Sequence, residues 1–200
     1  EGFLYPIVNK ETCIDCGLCE KVCSILHQGK EQKPLNVYAA KNIDEEIRKQ
    51  SSSGGIFTHL AEEVIKEGGV VFGVKFDEHW EVKHDFTETI DGLGAFRGSK
   101  YVQSRIEDIF QKVEAFLKQG RKVLFSGTPC QVAGLKSFLR KEYDNLLTVD
   151  FVCHGVPSPG IWRQYLKETI ARMCDKNSVS SDPISMDNAH VESISFRNKQ

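Results

Sequence analysis

Apolar positions first repeat with a helical period at Ile56, Leu60, Ala61, Val64 and Ile65. The spacing predicts an amphipathic helix from just after Ser51-Ser52-Ser53-Gly54-Gly55 to about Lys66, ended by Gly68 and Gly69. The apolar run Val70-Val71-Phe72-Gly73-Val74 predicts a buried strand, with Trp80 to His84 pairing back on it as a hairpin. Ser104 and Glu107 have the spacing of a capping box and predict a helix through about Lys118, stopped by Gly120. Lys122 to Phe125 reads as a short strand. Thr128-Pro129-Cys130-Gln131 then opens another helix: Thr128 caps, Pro129 fits the first helical position and Gln131 closes a second box. Leu146 to Val152 predicts a further buried strand, and Ser158-Pro159 opens a helix through about Met173. Residues 175–190 read as loop, and Ile194-Ser195-Phe196-Arg197 alternates as a strand does. Residues 31–50 are polar, carry Pro34 and show no clear period, which predicts a connector. The alternation of strand and helix predicts an α/β domain with a largely parallel core.

Composition narrows the class. The chain has 200 residues, 40% hydrophobic and 27% charged, as ordinary globular proteins do. That excludes a disordered tail, a collagen-like repeat and a coiled coil. The net charge of −2 gives no basic excess for nucleic acid or an anionic membrane surface. No apolar run approaches the roughly 20 residues of a membrane-spanning helix. No signal or targeting segment precedes the first motif, so a cytoplasmic location is expected. The chain opens at Glu1 on what reads as the inside of a domain, and it stops at Gln200 without a turn signal. It reads as an internal piece of a longer protein.

Four of the seven cysteines fall within eleven residues. Cys13, Cys16, Cys19 and Cys23 form C-x-x-C-x-x-C-x-x-x-C, the bacterial iron–sulfur run. A cubane cluster needs thiolates on a short loop that wraps it, and Gly17 sits where the backbone must turn tightly. By the two-cluster rule Cys13, Cys16 and Cys19 share one 4Fe–4S cluster, and Cys23 reaches a second. A zinc site uses separated pairs or histidines, and disulfides between cysteines this close are awkward. Ser24 stands where this run usually has Pro.

Ligands of open α/β sheets sit beyond the carboxyl ends of strands. Two motifs fall there. Cys130 lies in the first turn of a helix, where the dipole favours a thiolate. Cys153-His154-Gly155 follows the next strand. Both cysteines are candidates for a metal ligand or redox thiol, or for an inert buried Cys. His154 is a candidate proton donor or an ordinary loop histidine. Cys174, His27, His59, His79, His84 and His190 read as residues without a chemical role. Ser51 to Gly55 place small residues before a helix, as a phosphate cradle or a plain cap would. Arg97-Gly98-Ser99-Lys100-Tyr101 combines two cations, a close-approach glycine and an aromatic face.

Taken in order, Ser52-Ser53-Gly54-Gly55, Gly98-Ser99-Lys100-Tyr101-Val102-Gln103-Ser104, Gly127-Thr128-Pro129-Cys130-Gln131 and Cys153-His154-Gly155 give the chain a resemblance. With the terminal Ile194-Ser195-Phe196-Arg197, they resemble the beta-subunit family of coenzyme F₄₂₀ hydrogenases and dehydrogenases. The match runs from about residue 48 to the end. The cysteine run resembles part of a fused ferredoxin. The resemblance implies a partial ferredoxin-type module over residues 1–30, a connector over 31–47, and a mixed, largely parallel α/β flavin domain over 48–200. It implies 4Fe–4S clusters and FAD as cofactors, passing electrons to or from a redox partner protein or a small organic acceptor. By similarity Ser52, Ser53, Gly54, Gly55, Gly98, Ser99, Lys100, Tyr101, Thr128 and Gln131 contribute to the flavin site. Cys130 and Cys153 stay candidate cluster ligands. The alternatives are a non-enzymatic electron carrier or docking module, and a thiol enzyme with Cys130 as nucleophile and His154 as base.

Overall fold

A computed structural model describes residues 2–23, 25–27, 33–177 and 191–196. Its elements in chain order are α1 (Leu18–Lys21), α2 (Glu45–Gln50), α3 (Ile56–Lys66), β1 (Val70–Phe76), β2 (Val82–Thr87), a 3₁₀ segment (Asp91–Phe96), α4 (Ile109–Lys118), β3 (Val123–Gly127), α5 (Pro129–Leu139), β4 (Leu146–Asp150) and α6 (Pro159–Asn177). Ser24, the side chain of Cys174, residues 178–190 with His190, and Arg197 lie outside the described residues.

The strands form one sheet in the order β2-β1-β3-β4. β1 pairs antiparallel with β2 and parallel with β3, and β3 pairs parallel with β4. This is the mixed, largely parallel α/β sheet that the alternating pattern predicts. Side chains alternate across a strand, so successive residues of β1 and β3 enter opposite layers. Val70, Phe72, Val123 and Phe125 pack with Ile109, Val113 and Leu117 of α4 and Val132, Leu135 and Leu139 of α5. Val71 and Leu124 face the other way, onto Ala61 and Val64 of α3 and Leu93 and Phe96 of the 3₁₀ segment. β3 is therefore covered on both faces, as a central parallel strand must be. A third cluster joins Val82, Val102 and Trp162 to Phe76, Ile194 and Phe196, and it docks α6 and residues 191–196 onto the hairpin.

Several boundaries differ from the sequence reading. The helix expected from Ser104 begins at Ile109, with Asp108 at its cap. Ser104 is buried and bonded to His84 and Gln131, so its hydroxyl is taken by tertiary partners. Arg105 meanwhile pairs with the hairpin: its N–H donates to the Val82 carbonyl and its carbonyl accepts from His84. β4 ends at Asp150 and is only half-buried, because it is the sheet's edge among the described residues. Phe151 and Val152 are exposed. Residues 191–196 form no strand; aromatic packing holds them in place of a ladder. The connector contains α2, whose signal is charge and not apolar period. Asp44 accepts from the N–H groups of Glu46 and Ile47, and Arg48–Glu45 and Lys49–Glu46 pair one turn apart.

Leu124 is fully buried at the centre of this sheet. Leu124→Ala is expected to cost about 2–5 kcal/mol through lost burial and an unfilled cavity. Urea unfolding checks this: the midpoint falls and the slope stays unchanged.

Candidate functional site

The polar segments at 49–52 and 97–100 lie far apart in sequence and meet at one cleft. The link is a serine clasp. Ser52 Oγ accepts from the Ser99 N–H at 2.6 Å and lies 2.9 Å from Ser99 Oγ. Arg97 adds a second tie, donating to Gln50 Oε1 at 2.7 Å and to Thr58 Oγ1 at 3.3 Å. The cleft has a volume of about 650 Å³. That lies within the usual range for cofactor-sized ligands. Lys49, Arg97 and Lys100 line it with Ser51, Ser52, Ser99 and, among the described residues, the single carboxylate Glu192, while Phe76, Trp80 and Phe196 supply aromatic surface.

Packing explains how these side chains reach the cleft. Phe76 ends β1, and its ring stacks on Phe196 with centroids 6.4 Å apart. Trp80 sits in the hairpin turn with φ +60°, a left-handed conformation that a bulky residue rarely takes. It is held there by edge contact with Phe76 and by Trp162 Nε1, which donates to the Trp80 carbonyl at 2.7 Å. Lys100 bends back so that Nζ donates to the carbonyls of Ala95 and Arg97, at 2.9 and 2.8 Å. Burial pushes its pKa down to about 8. An ammonium poised near neutrality beside Arg97 suits an anionic ligand group.

The other expected site residues divide. Gly98, Ser99, Lys100 and Ser52 line the cleft. Tyr101 lies beside it, edge-on to Phe196 at 5.5 Å. Gly54 and Gly55 turn away: their carbonyls accept from Asn42, and an added Cβ at Gly54 would stand 2.9 Å from the Ala40 carbonyl. Ser53 is exposed just before them. Thr128 and Gln131 form a separate group at the carboxyl end of β3. Gln131 Oε1 accepts from the Thr128 N–H at 3.0 Å, while Gln131 Nε2 donates to Ser104 Oγ at 2.8 Å. Cys130 is exposed, with Sγ 3.1 Å from Thr128 Oγ1. Cys153 is half-buried in the loop after β4, and His154 is exposed. No hydrogen bond joins Cys130 to His154 among the described residues, so the thiol-enzyme alternative gains no nucleophile–base pair. The aromatic surface escapes a motif reading because a strand end, a turn and the terminal segment supply one ring each: Phe196 is legible in that segment, but not as a partner of Phe76 and Trp80.

The cysteine run is an irregular loop around the single turn α1. Asp15 and Gly17 both take positive φ, +53° and +65°, and these two positions reverse the backbone inside the run. Cys13, Cys16 and Cys19 are exposed free thiols and Cys23 is half-buried. Among the described residues no three Cys, His, Asp or Glu side chains converge as a metal site. The match to a 4Fe–4S cluster is therefore one of donor type and spacing. The segment before the run is tied to the α/β domain. Gln103 grips the backbone of Leu4, accepting from its N–H at 3.0 Å and donating to its carbonyl, and the Gly160 N–H donates to the Gly2 carbonyl.

Two family models match most of the α/β domain, and both describe the coenzyme F₄₂₀ hydrogenase/dehydrogenase beta subunit. Residues 37–111 match its N-terminal part, and residues 120–193 match its C-terminal part. The chain belongs to the F₄₂₀ hydrogenase/dehydrogenase beta-subunit family. This family takes its name from oxidoreductases, and the N-terminal match begins within the connector. A chain of the F₄₂₀-reducing NiFe hydrogenase complex from Methanosarcina barkeri has a similar fold, with a TM-score of 0.54 at 23% identity. The alignment covers 71% of the present chain and 54% of that one, so the chain spans about half its length. No curated protein matches. Among the described residues no helix is long and apolar enough to cross a membrane.

His84 gives this family member a titratable core. Its ring is buried and stacked on Phe125, and burial pushes its pKa down to about 4 against the opposing Ser126 hydrogen bond. The unfolded chain takes a proton near pH 6.5 and the folded chain does not. The stabilisation is thus complete above about pH 6.5 and is lost as pH falls toward 4. Over that window the wild type should lose on the order of 3 kcal/mol more than His84→Phe. Urea titrations of both proteins at about pH 7 and about pH 4.5 check it.

Proposed function

We propose that the chain is the iron–sulfur and flavin part of an electron-transfer oxidoreductase. In this reading it passes electrons between a 4Fe–4S cluster at the cysteine run, FAD, and a redox partner protein or small organic acceptor. Coenzyme F₄₂₀ is one such acceptor. The observation that carries the reading is the serine clasp between Ser52 and Ser99, which makes one cleft of two distant polar segments. Among the described residues, three cations against one carboxylate, Glu192, and three aromatic rings line that cleft, a surface that suits a dinucleotide with phosphates and flat rings.

FAD supplies the exchange between one-electron and two-electron chemistry when bound. The chain's own residues bind and orient. Arg97 and Lys100 offer charge to phosphate, and the Ser52 and Ser99 hydroxyls hold the two cleft segments in register. Trp80 and Phe196 offer faces for a ring system and exclude water from it. Cys13, Cys16 and Cys19 would hold the cluster, with Cys23 reaching a second. Cys130, Cys153 and His154 are offered as further residues of the redox site, on the strength of their positions beyond β3 and β4.

Anaerobic reconstitution with iron, sulfide and FAD tests the reading. The protein should show both flavin and cluster absorbance, bleached by dithionite. Cys19→Ala should lose the cluster bands and keep the flavin. Arg97→Ala should weaken FAD by about tenfold or more, the scale of one charge-assisted hydrogen bond. Wild-type affinity should fall as pH rises through about 8, while Lys100→Met shows no such step. Iron and sulfide without flavin would leave the electron-carrier alternative. Absence of both cofactors would end the proposal.

A further inference from the structure

The group at the end of β3 closes on itself. The Thr128 N–H donates to Gln131 Oε1 at 3.0 Å, and Gln131 Nε2 donates to Ser104 Oγ at 2.8 Å. Ser104 Oγ lies 3.0 Å from His84 Nδ1, and His84 Nε2 lies 3.2 Å from the Ser126 carbonyl. The circuit starts on one side of Gly127 and ends on the other.

Its polarity follows from the two ends. A backbone N–H can only donate, so Gln131 must present oxygen to Thr128 and nitrogen to Ser104. A carbonyl can only accept, so His84 Nε2 must carry the hydrogen that faces Ser126. In the neutral ring Nδ1 is then an acceptor, and the Ser104 hydroxyl donates to it while accepting from Gln131. Every bond has one donor and one acceptor. A proton on Nδ1 would leave the Ser104 hydrogen without its acceptor, which agrees with the neutrality of the buried ring. Packing closes the circuit further. His84 lies parallel to Phe125 at 5.3 Å, with 6° between the planes. At Gly127 an added Cβ would stand 3.1 Å from Gln131 Oε1 and 3.2 Å from Phe125 Cε1.

We infer that this ring of four hydrogen bonds, through His84, Ser104 and Gln131, is the device that positions the Ser126–Gln131 turn. It rests on the reading, taken from the family resemblance, that Thr128 and Gln131 contribute to the flavin site; neither lines the Ser52–Ser99 cleft, so the bound flavin would reach from that cleft to the turn. His84 and Ser104 are positioning residues: they act through Gln131 and hold the strand-to-helix turn in one conformation before a ligand arrives. The turn joins β3 to α5, and its other members are Gly127, Pro129 and the exposed Cys130. The tether draws on separate parts of the chain, because His84 comes from β2, Ser104 from the loop before α4 and Gln131 from α5.

Ser104→Ala in the reconstituted protein tests the ring. In the wild type the His84 ring nitrogens should give the ¹⁵N signature of the neutral Nε2–H tautomer at about pH 7. The opposite tautomer, or a doubly protonated ring, would overturn the assignment. In Ser104→Ala the Thr128 amide should exchange with solvent more than about tenfold faster, while Leu124 keeps its wild-type protection. Unchanged exchange at Thr128 would overturn the ring. Titration with FAD should show about tenfold weaker binding in Ser104→Ala, and restored affinity in Ser104→Thr, which returns the hydroxyl. Faster Thr128 exchange with unchanged FAD affinity would overturn the link to the flavin. A wild type that takes no FAD would remove the flavin reading, and the ring would then be judged by tautomer and exchange alone.

Discussion

Burial of β3 on both faces is the constraint from which the other placements follow. Val123, Leu124 and Phe125 admit no solvent, so their backbone polar groups must find partners inside the protein, and the parallel ladders to β1 and β4 supply most of them. That double pairing fixes the parallel register, and the register fixes where the strand stops. The chain leaves β3 at Gly127 and enters α5 directly at Pro129. The turn between them is consequently held from both sides. The hairpin β1–β2 is registered to the same strand, and this brings His84 beside the turn and places Trp80 beyond the carboxyl end of β1.

Two polar arrangements grow from this frame and differ in kind. The His84 circuit is buried at His84 and Ser104, half-buried at the turn, closed and satisfied, so it confers rigidity. The Ser52–Ser99 clasp borders an open cleft, and the cations beside it retain access to water. Lys100 shows the consequence: partial desolvation lowers its pKa, whereas the surface pairs Lys49–Glu46 and Lys66–Glu63 carry little energetic weight. The aromatic wall belongs to a third cluster, in which Phe76, Trp162 and Phe196 stack across the hairpin, α6 and residues 191–196. The aromatic surface of the cleft is therefore set jointly by the end of β1, the hairpin turn and the packing of a remote segment.

The elements with strong apolar period were readable from the pattern of residues alone. α3 ends at Lys66 as the pattern requires, and α5 opens on Pro129 with Gln131 reaching back to Thr128. Apolar pattern does not report partners, and the departures are of that kind. Ser104 and Glu107 have the letters of a helix start, yet the Ser104 hydroxyl is committed to His84, a partner 20 residues earlier that no local capping rule includes. Leu146 to Val152 is apolar enough for a core strand, yet its strand, Leu146–Asp150, lies at the sheet's edge among the described residues. α2 has too few apolar residues to show a period and is held by charge and by Asp44. In the cleft, Gly98 to Lys100 and Ser52 were visible as motifs. Phe196 was visible only within the terminal alternating segment and Trp80 only within a hairpin; their meeting at the cleft was not, because only the fold brings a hairpin turn to a segment so distant along the chain.

The central claim is that the cleft beneath the serine clasp holds a flavin. Trp80 and Trp162 are the chain's two tryptophans, and Trp80 lines the cleft. Tryptophan emission during a titration with FAD reads the site directly. In a Trp162→Phe background the remaining emission comes from Trp80. The account predicts saturable quenching with the same midpoint as FAD binding, and loss of both when Ser99→Phe fills the cleft without adding a second emitter. FAD that binds without changing Trp80 emission, or that still binds to the filled cleft, would contradict it.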